Sequence, residues 1–328
     1  MSRKILLAQD VDKKGKDYLK ANGCELVLAS REDSELMKEL IADCDAVFSK
    51  TFFLTEDILR AGKKLKVVAK HGVGIDNVVD LGTATKLGLY VVRTPGANSD
   101  SVAEHTVGGM LAFSQKVVKM HLAAKAADFE QQNCGDMHEI KGKTVGIIGL
   151  GRIGARVAKI CAKGFDMKVL GYDPYVKAEN LPDYIEFTDD INRIYRESDF
   201  VTLHLGASPE TIGLVGAKQF DMMKDTAVFL NQARGALVVE DDLVDALKNH
   251  KIKGAVIDVY AKEPCPPDDP ILQLDNVLLS PHSAALTDEA LQNMSYDGAC
   301  GIVDILDGKR PQWCMNYDEV TAMRKNCS

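Results

Sequence analysis

Residues 143–154 read KTVGIIGLGRIG, and this stretch decides the fold of the whole chain. It begins as an apolar strand, continues through three glycines spaced as Gly149-x-Gly151-x-x-Gly154, and passes directly into a helical pattern. A second apolar strand follows, and Asp173 ends it, 19 residues beyond Gly154. A strand, a glycine-rich turn, a helix and an acidic residue at this distance are together typical of a dinucleotide-binding unit. We refer to the Gly-x-Gly-x-x-Gly segment as the glycine turn.

Each part of this pattern has a physical role in holding a cofactor. The first glycine permits a tight turn, the second lets backbone approach a pyrophosphate, and the third lets the helix pack on the strand. The free N–H groups and the positive dipole end of that helix attract phosphates. The carboxylate of Asp173 would accept hydrogen bonds from both ribose hydroxyls and would repel a 2′-phosphate. Since Pro174 and Tyr175 follow, with no arginine to hold that phosphate, the sequence predicts NAD as the cofactor in preference to NADP.

The composition limits the classes of protein to which the chain can belong. Its 328 residues suggest two domains, and a net charge of −8 without a basic run argues against a nucleic-acid partner. No apolar run reaches the roughly 18 residues of a membrane span, and the first residues, MSRKILL, lack a signal-peptide pattern. The eight cysteines are scattered without a C-x-x-C pair, which fits a reducing cytoplasm and offers no metal site. We therefore expect a cytoplasmic protein that binds neither nucleic acid, membrane nor metal.

Apolar strand-like runs alternate with helical patterns along nearly the whole chain. This alternation predicts an α/β fold in which helices cover both faces of parallel sheets. In the first half, strands are predicted near residues 4–8, 25–29, 46–48, 66–69 and 89–92. In the second half, after the strand that leads into the glycine turn, they are predicted near residues 168–171, 200–203, 227–230, 253–257 and 277–279.

The first half ends at Thr94-Pro-Gly-Ala-Asn98, where proline and glycine break a strand. The following Ser101-Val-Ala-Glu104 has the spacing of a capping box and predicts one long helix that continues to about Lys125. Gly108 and Gly109 interrupt this helix, each at a cost of about 1 kcal/mol relative to alanine. Close packing against another part of the backbone would explain them.

A second long helical pattern, at about residues 287–306, would return the chain to the first domain. We therefore predict a cofactor domain of residues 99–289 inserted into a domain formed by residues 1–98 and 290–328. Two α/β domains joined twice form a cleft, and small ligands bind in such clefts.

Three residues with catalytic potential follow predicted strands of the cofactor domain. They are Arg234 in NQARG, Glu263 before a proline, and His282 in SPHSA. The carboxyl ends of parallel strands lie at one edge of a sheet, and that edge faces the ligand. Reduction of a keto acid needs these residue types, because an arginine binds a carboxylate or carbonyl, a histidine delivers the proton, and a carboxylate fixes the imidazole. Singly, each has an ordinary structural explanation, but their common position predicts a catalytic group.

The motifs occur in an order that resembles the D-isomer-specific 2-hydroxyacid dehydrogenases, particularly the D-3-phosphoglycerate dehydrogenase branch without a regulatory domain. The resemblance covers essentially the whole chain. It is carried by HGVGIDN at residues 71–77, TPGAN at 94–98, VAEH at 102–105, the glycine turn, NQARG at 231–235, DVY at 258–260, EP at 263–264 and SPH at 280–282.

This resemblance implies two doubly wound parallel-sheet domains, with a Rossmann NAD domain inserted into a flavodoxin-like substrate domain. It implies an NAD-dependent oxidoreductase that interconverts a small (R)-2-hydroxy acid and its 2-keto acid, and a homodimer formed through the cofactor domains. It assigns substrate binding to Arg234, acid/base catalysis to His282, and the support of His282 to Glu263. Contacts to the cofactor are implied for Gly149, Gly151, Arg152, Ile153, Gly154, Asp173, Gly206, Gln232, Ala233, Asp258 and Ala285.

The resemblance also implies that backbone N–H groups around Gly72, Val73 and Gly74 receive the substrate carboxylate, and glycines do let backbone approach an anion. Further cations stand nearby in the sequence: Lys50, Lys70, His71 and Arg93. They suggest a substrate with a second anionic group, such as 3-phosphoglycerate or a sulfonate, while the alternative is a solvated surface patch.

The family pattern is not matched everywhere. Gly206 stands where the family often has proline, and Ser49-Lys50 replaces an Arg-Ser pair common in phosphoglycerate enzymes. Because a lysine cannot form the planar fork of an arginine, Lys50 is a weaker phosphate ligand. Two other functions stay open for this fold: an NADH-sensing, co-repressor-like interaction protein, and a dehydrogenase for formate or another small acid.

Overall fold

The computed structural model describes residues 3–326, and the chain forms two compact α/β units. The terminal unit combines the chain up to Asn98 with the chain from Leu286 onward, and the central unit is Ser99–Ala285. Their parallel sheets and flanking helices confirm the predicted α/β fold class. Within residues 3–326, no helix is long and apolar enough to cross a membrane.

The terminal unit is built on five parallel strands in the order β2-β1-β3-β4-β5, which is the flavodoxin-like order. The strands are β1 (Arg3–Leu7), β2 (Cys24–Leu28), β3 (Ala46–Ser49), β4 (Val67–Lys70) and β5 (Tyr90–Val92). The helices between them are α1 (Lys13–Ala21), α2 (Ser34–Ile41), α3 (Glu56–Ala61) and α4 (Leu81–Lys86). Strands β3 and β4 are buried on both faces, which explains their continuous apolar sequences.

The central unit begins with α5 (Ser99–Ser114) and α6 (Val117–Lys125), so the single helix predicted to Lys125 is wrong. The helix breaks at Lys116, whose φ of 50° is left-handed. The reason is tertiary, because the N–H of His138 donates to the carbonyl of Ser114 at 3.0 Å and removes that acceptor from the helical ladder. A Cβ on Gly109 would lie 2.7 Å from the side chain of Val256, so this glycine packs against a side chain of the sheet.

Seven parallel strands form the sheet of the central unit, in the order β12-β11-β10-β9-β6-β7-β8. They are β6 (Thr144–Ile148), β7 (Lys168–Tyr172), β8 (Ile185–Phe187), β9 (Phe200–Leu203), β10 (Val228–Asn231), β11 (Gly254–Ile257) and β12 (Val277–Leu279). Helices on both faces are α7 (Arg152–Phe165), α8 (Ile191–Glu197), α9 (Ala217–Met222) and α10 (Glu240–Lys248). If strands β6 to β11 are numbered one to six along the chain, their order across the sheet is the Rossmann order 3-2-1-4-5-6. Strand β12 extends the sheet beyond β11. The short edge strand β8 was not predicted.

The chain returns to the terminal unit through α11 (Asp288–Leu306), and α12 (Tyr317–Asn326) follows it. Thr287 caps α11, since its hydroxyl accepts a hydrogen bond from the N–H of Ala290 at 3.2 Å. A Cβ on Gly298 would lie 2.4 Å from the ring of Phe48, and one on Gly301 would lie 2.4 Å from Val92. These two glycines therefore let α11 pack closely on the five-stranded sheet.

Candidate active site

The strands of the central sheet end at the same level, and this places the predicted site residues along one edge. The register pairs Ile148 with Leu203, Leu203 with Asn231, Asn231 with Ile257, and Ile257 with Leu279. The loops that begin after these five residues therefore all leave the carboxyl edge of the sheet together. They carry the glycine turn, Gly206, Arg234, Glu263 and His282.

Two glycines of the glycine turn are required by the protein itself. Gly149 has a φ of 96°, and a Cβ there would lie 2.5 Å from the carbonyl oxygen of His204. A Cβ on Gly154 would lie 2.0 Å from the carbonyl oxygen of Gly149, so the backbone of α7 packs directly on the backbone of the turn. These contacts fix the turn against the sheet.

Gly151 is different, because no described atom outside its own neighbourhood lies within 4 Å of where its Cβ would be. It is exposed, and it caps the amino end of α7, whose first residues are Arg152 and Ile153. Packing therefore does not explain this glycine, whereas a pyrophosphate lying on the end of α7 does. This open space is the arrangement that an NAD site requires.

The carboxylate of Asp173 is held beside the glycine turn. Its Oδ2 accepts a hydrogen bond from the N–H of Leu150 at 2.9 Å, and its Oδ1 accepts one from the N–H of Tyr175 at 2.8 Å. Each oxygen keeps a second lone pair for a ribose hydroxyl. The position fits the sugar of a dinucleotide.

Gln232 offers a further indication of a ligand at this edge. Its side chain is only 6% exposed, and its Nε2 donates to the carbonyl of Val256 at 3.1 Å. Its Oε1 has no hydrogen-bond partner within the described part of the chain. A buried acceptor without a donor is costly, and the amide N–H groups of a nicotinamide carboxamide would satisfy it. The residues present at this edge therefore fit NAD.

His282 and Glu263 form a direct pair. The Nδ1 atom of His282 lies 2.6 Å from Oε2 of Glu263, and the N–H of Tyr260 donates to Oε1 at 3.1 Å. Burial alone would raise the pKa of Glu263, but the hydrogen bonds from His282 and Tyr260 outweigh it and hold this pKa below its usual value. Glu263 is therefore a charged acceptor, Nδ1 carries a proton, and Nε2 is the ring atom left for a substrate.

Arg234 lies beside this pair because two loops are in backbone contact. A Cβ on Gly235 would lie 1.9 Å from the carbonyl oxygen of Tyr260, so the loop after β10 packs directly on the loop after β11. The positive charge of Arg234 contributes to lowering the pKa of Glu263. Asn231 fixes the loop from within, since its Nδ2 donates to the carbonyl of Arg234 at 2.9 Å.

Asp258 is buried, with 1% of its surface exposed, and its carboxylate binds the segment that carries His282. It accepts hydrogen bonds from Ser280 Oγ at 2.6 Å and from the N–H groups of Ser283 and Ala284 at 2.8 and 3.0 Å. The contact to the nicotinamide expected of Asp258, like that of Ala285, stays a prediction. The sequence motifs contained Ser280 but gave no sign of this role.

In the terminal unit, the segment 72–74 differs from the expectation in one respect. The N–H of Gly72 donates to Oγ1 of Thr94 at 3.0 Å, so this amide is already engaged. The N–H groups of Val73 and Gly74, which are partly exposed, have no partner among residues 3–326. Of the three amides expected to bind an anion, only those of Val73 and Gly74 keep a donor available, and their role in anion binding stays a prediction. Sequence gave no signal for the role of Thr94, because 22 residues separate it from Gly72.

The predicted cations of this unit have different environments. Lys70 is 6% exposed, and its Nζ donates to the carbonyl of Lys50 and to Oδ1 of Asn77. His71 is also 6% exposed, and burial together with the charges of Lys50 and Lys70 lowers its pKa to about 4. The expectation that His71 supplies a second cation is therefore wrong at neutral pH. Lys70 and His71 are buried, so the alternative of a solvated surface patch is wrong for these two residues. Lys50 and Arg93 are partly exposed, and the alternative stays open for them.

Comparison with known proteins identifies the family of the chain. Residues 107–284 match the family described as D-isomer specific 2-hydroxyacid dehydrogenase, NAD binding domain. The chain therefore belongs to the D-isomer-specific 2-hydroxyacid dehydrogenase family, and its central unit contains the NAD-binding domain of that family.

Three similar proteins illustrate the range of this family. The chain is 39% identical to a D-3-phosphoglycerate dehydrogenase of Archaeoglobus fulgidus, over 93% of this chain and 58% of the relative. It is 35% identical to a glyoxylate reductase of Thermofilum pendens, over 96% of this chain and 95% of the relative. The apo-structure of D-lactate dehydrogenase from Escherichia coli matches with a TM-score of 0.81 and 30% identity, covering 95% and 99% of the two chains. The chain thus spans little more than half the length of the phosphoglycerate dehydrogenase.

Proposed function

We propose that the chain is an NAD-dependent dehydrogenase that interconverts a small (R)-2-hydroxy acid and its 2-keto acid. The observation that carries this proposal is the 2.6 Å pair of His282 and Glu263 at the same sheet edge as the glycine turn. Such a pair supplies and withdraws a proton beside a bound nicotinamide. Membership of the family supports the same reaction.

The protein residues handle the proton and the charge. When NADH is bound at the glycine turn, it supplies a hydride to the carbonyl carbon of the keto acid. His282 donates the proton on Nε2 to the carbonyl oxygen, and the charged Glu263 stabilises the imidazolium through Nδ1. Arg234 binds the substrate carboxylate or polarises the carbonyl with its planar fork. In the oxidation direction, Nε2 takes the proton of the hydroxyl group.

NAD is favoured over NADP by the position of Asp173. Both carboxylate oxygens are fixed by backbone N–H groups beside the glycine turn, so the negative charge cannot swing away from a 2′-phosphate. Repulsion between the two anions would weaken NADP binding.

The terminal unit favours a small substrate. The amides of Val73 and Gly74 suit a carboxylate, but Lys70 donates to protein acceptors and His71 is uncharged at neutral pH. A phosphate would have to rely on Lys50 and on Arg93. We therefore infer a substrate of the glyoxylate, pyruvate or hydroxypyruvate class and regard 3-phosphohydroxypyruvate as the less favoured alternative.

The test is a substrate screen that follows NADH oxidation. Glyoxylate, pyruvate, hydroxypyruvate, 3-phosphohydroxypyruvate and branched keto acids would be compared, with His282→Asn as the inactive control. Turnover of a small keto acid at the highest kcat/KM is the expected result. NADH binding without turnover of any keto acid would contradict the proposal and leave the interaction-protein alternative.

We also propose that the protein is a cytoplasmic homodimer that associates through its central units. Helix α6 exposes Val117, Val118 and Leu122, each by about half, and Phe129 just beyond it is 68% exposed. An open cavity of about 730 Å³ lies beside α6 and is lined in part by Phe113. Exposed apolar side chains beside an open cavity suit contact with a second copy of the chain. The seven described cysteines are free thiols, as expected in a reducing compartment.

Light scattering after size-exclusion chromatography tests the dimer. Leu122→Glu is expected to give a monomer, whereas Ile212→Glu, which changes an equally exposed side chain elsewhere, is expected to leave a dimer. A monomeric wild-type protein would refute this arrangement.

A further inference from the structure

The segment 280–284 holds His282 in an unusual backbone conformation. His282 has a φ of 52°, which L side chains rarely adopt. Its N–H donates to the carbonyl of Asp258 at 2.8 Å. With the three hydrogen bonds that the Asp258 carboxylate accepts from Ser280, Ser283 and Ala284, one buried residue makes four hydrogen bonds to this turn.

Ser280 links this turn to helix α5. A carboxylate only accepts hydrogen bonds, so the hydroxyl of Ser280 must donate to Asp258 at 2.6 Å. The oxygen of Ser280 then accepts from Nε2 of His105, which lies 3.1 Å away. The direction of these bonds requires His105 to carry its proton on Nε2. His105, Ser280 and Asp258 thus form a directed chain from α5 to the turn of His282.

Tyr260 connects the same turn to Glu263. Its hydroxyl donates to the carbonyl of Ser280 at 2.9 Å, and its N–H donates to Glu263 Oε1 at 3.1 Å. Tyr260 therefore anchors both Glu263 and the turn that carries His282. A displacement of Ser280 would move the imidazole relative to its carboxylate.

We propose that Ser280 is a positioning residue, through which His105 and Asp258 hold the imidazole of His282 in register with Glu263. The proposal rests on the function proposed above, since it concerns the placement of the proton donor. Ser280 acts through the backbone of the turn and through Asp258, and it needs no contact with the substrate. Its hydroxyl is the group that matters, because it both donates and accepts.

A matched pair of variants isolates that hydroxyl. Ser280→Thr keeps the hydroxyl. Ser280→Val introduces a side chain with nearly the shape of threonine but without the hydroxyl. We expect S280T to retain kcat within about twofold of the wild type, and S280V to lose about tenfold in kcat with KM and the Kd for NADH within twofold. Equal kcat values for the two variants would overturn the proposal.

A second pair tests the chain from its other end. His105→Gln places an N–H donor near the position of Nε2, and His105→Met has a similar length without a donor. We expect the kcat of H105M to fall below that of H105Q by several-fold at equal melting temperatures. This pair decides the matter if the extra methyl group of S280T disturbs folding, and equal kcat values would again contradict the proposal.

A measurement on the cofactor-free protein separates this proposal from the proposed function. The proton between Nδ1 of His282 and Glu263 should give a far-downfield proton NMR resonance, assigned by its loss in His282→Asn. We expect this resonance in the wild type and in S280T, and its shift or loss in S280V. An unchanged resonance in S280V would refute the positioning role, whereas absence of turnover in the wild type would refute the function alone.

Discussion

The ring of His282 lies 2.6 Å from the carboxylate of Glu263, although the two residues leave different strands of the central sheet. The loops of neighbouring β11 and β12 bring them together, and the register of those strands aligns the starting points of both loops. The pair is thus a consequence of sheet geometry. Single substitutions can test the proposed role of each partner without changing the fold.

Replacement of His282 by asparagine should lower kcat by about 10²- to 10⁴-fold, because the general acid is lost. The Kd for NADH, measured by quenching of protein fluorescence, should change little, since the role proposed for His282 is proton transfer and not cofactor binding. The exposed His250→Asn variant is the control. Near-normal turnover of His282→Asn would show that another group delivers the proton.

The second and third glycines of the glycine turn should respond differently to alanine. Gly154→Ala places a Cβ 2.0 Å from the carbonyl of Gly149 and should lower the free energy of unfolding by about 1–3 kcal/mol. Gly151→Ala meets no described protein atom, so its stability should stay within about 0.5 kcal/mol while its affinity for NADH falls roughly tenfold or more. Urea denaturation and NADH titration measure the two effects. If Gly151→Ala bound NADH normally, the pyrophosphate would not lie on this turn.

Asp173→Asn keeps the size of the side chain and removes its charge. We expect the Kd for NADH to rise about tenfold, from weaker hydrogen bonds to the ribose, and the preference for NADH over NADPH to shrink. The exposed Glu179→Gln variant serves as the control. An unchanged ratio of the two kcat/KM values would rule out Asp173 as the selecting residue.

His71 predicts a pH dependence of stability. The unfolded chain binds its proton near pH 6.5, whereas burial, with the charges of Lys50 and Lys70, delays protonation in the folded chain to about pH 4. The contribution of neutral His71 is therefore fully present above pH 6.5 and is lost as the pH falls towards 4. Over this window the wild type should lose about 3 kcal/mol relative to His71→Leu, at about 1.4 kcal/mol per pKa unit. Urea denaturation at several pH values measures the difference, and parallel curves for the two proteins would exclude a buried, uncharged His71.

Much of the fold follows from the sequence because buried parallel strands are continuous apolar runs. The segments predicted near 200–203 and 277–279 coincide with β9 and β12 for this reason. The edge strand β8 is three residues long and reads Ile-Glu-Phe, so it lacks such a run. The break between α5 and α6 depends on His138, which lies beyond both helices in the chain. The sequence around the break therefore could not predict it.

The positions of the candidate site residues were predictable where they depend on the strands. Arg234, Glu263 and His282 follow strand ends, and strand ends share an edge. The state of His71 was not predictable, because its burial arises from contacts with β3 and α11, which are distant in sequence. The engagement of the Gly72 amide by Thr94 likewise depends on the approach of two separate segments.

The contact between Gly235 and the carbonyl of Tyr260 restricts how the candidate site can be redesigned. Any side chain at position 235 would push apart the loops that carry Arg234 and Glu263. Libraries for new substrates should therefore keep position 235 as glycine and vary exposed neighbours such as Ala236. Because the two loops pack directly on each other, Arg234 and Glu263 cannot be repositioned independently.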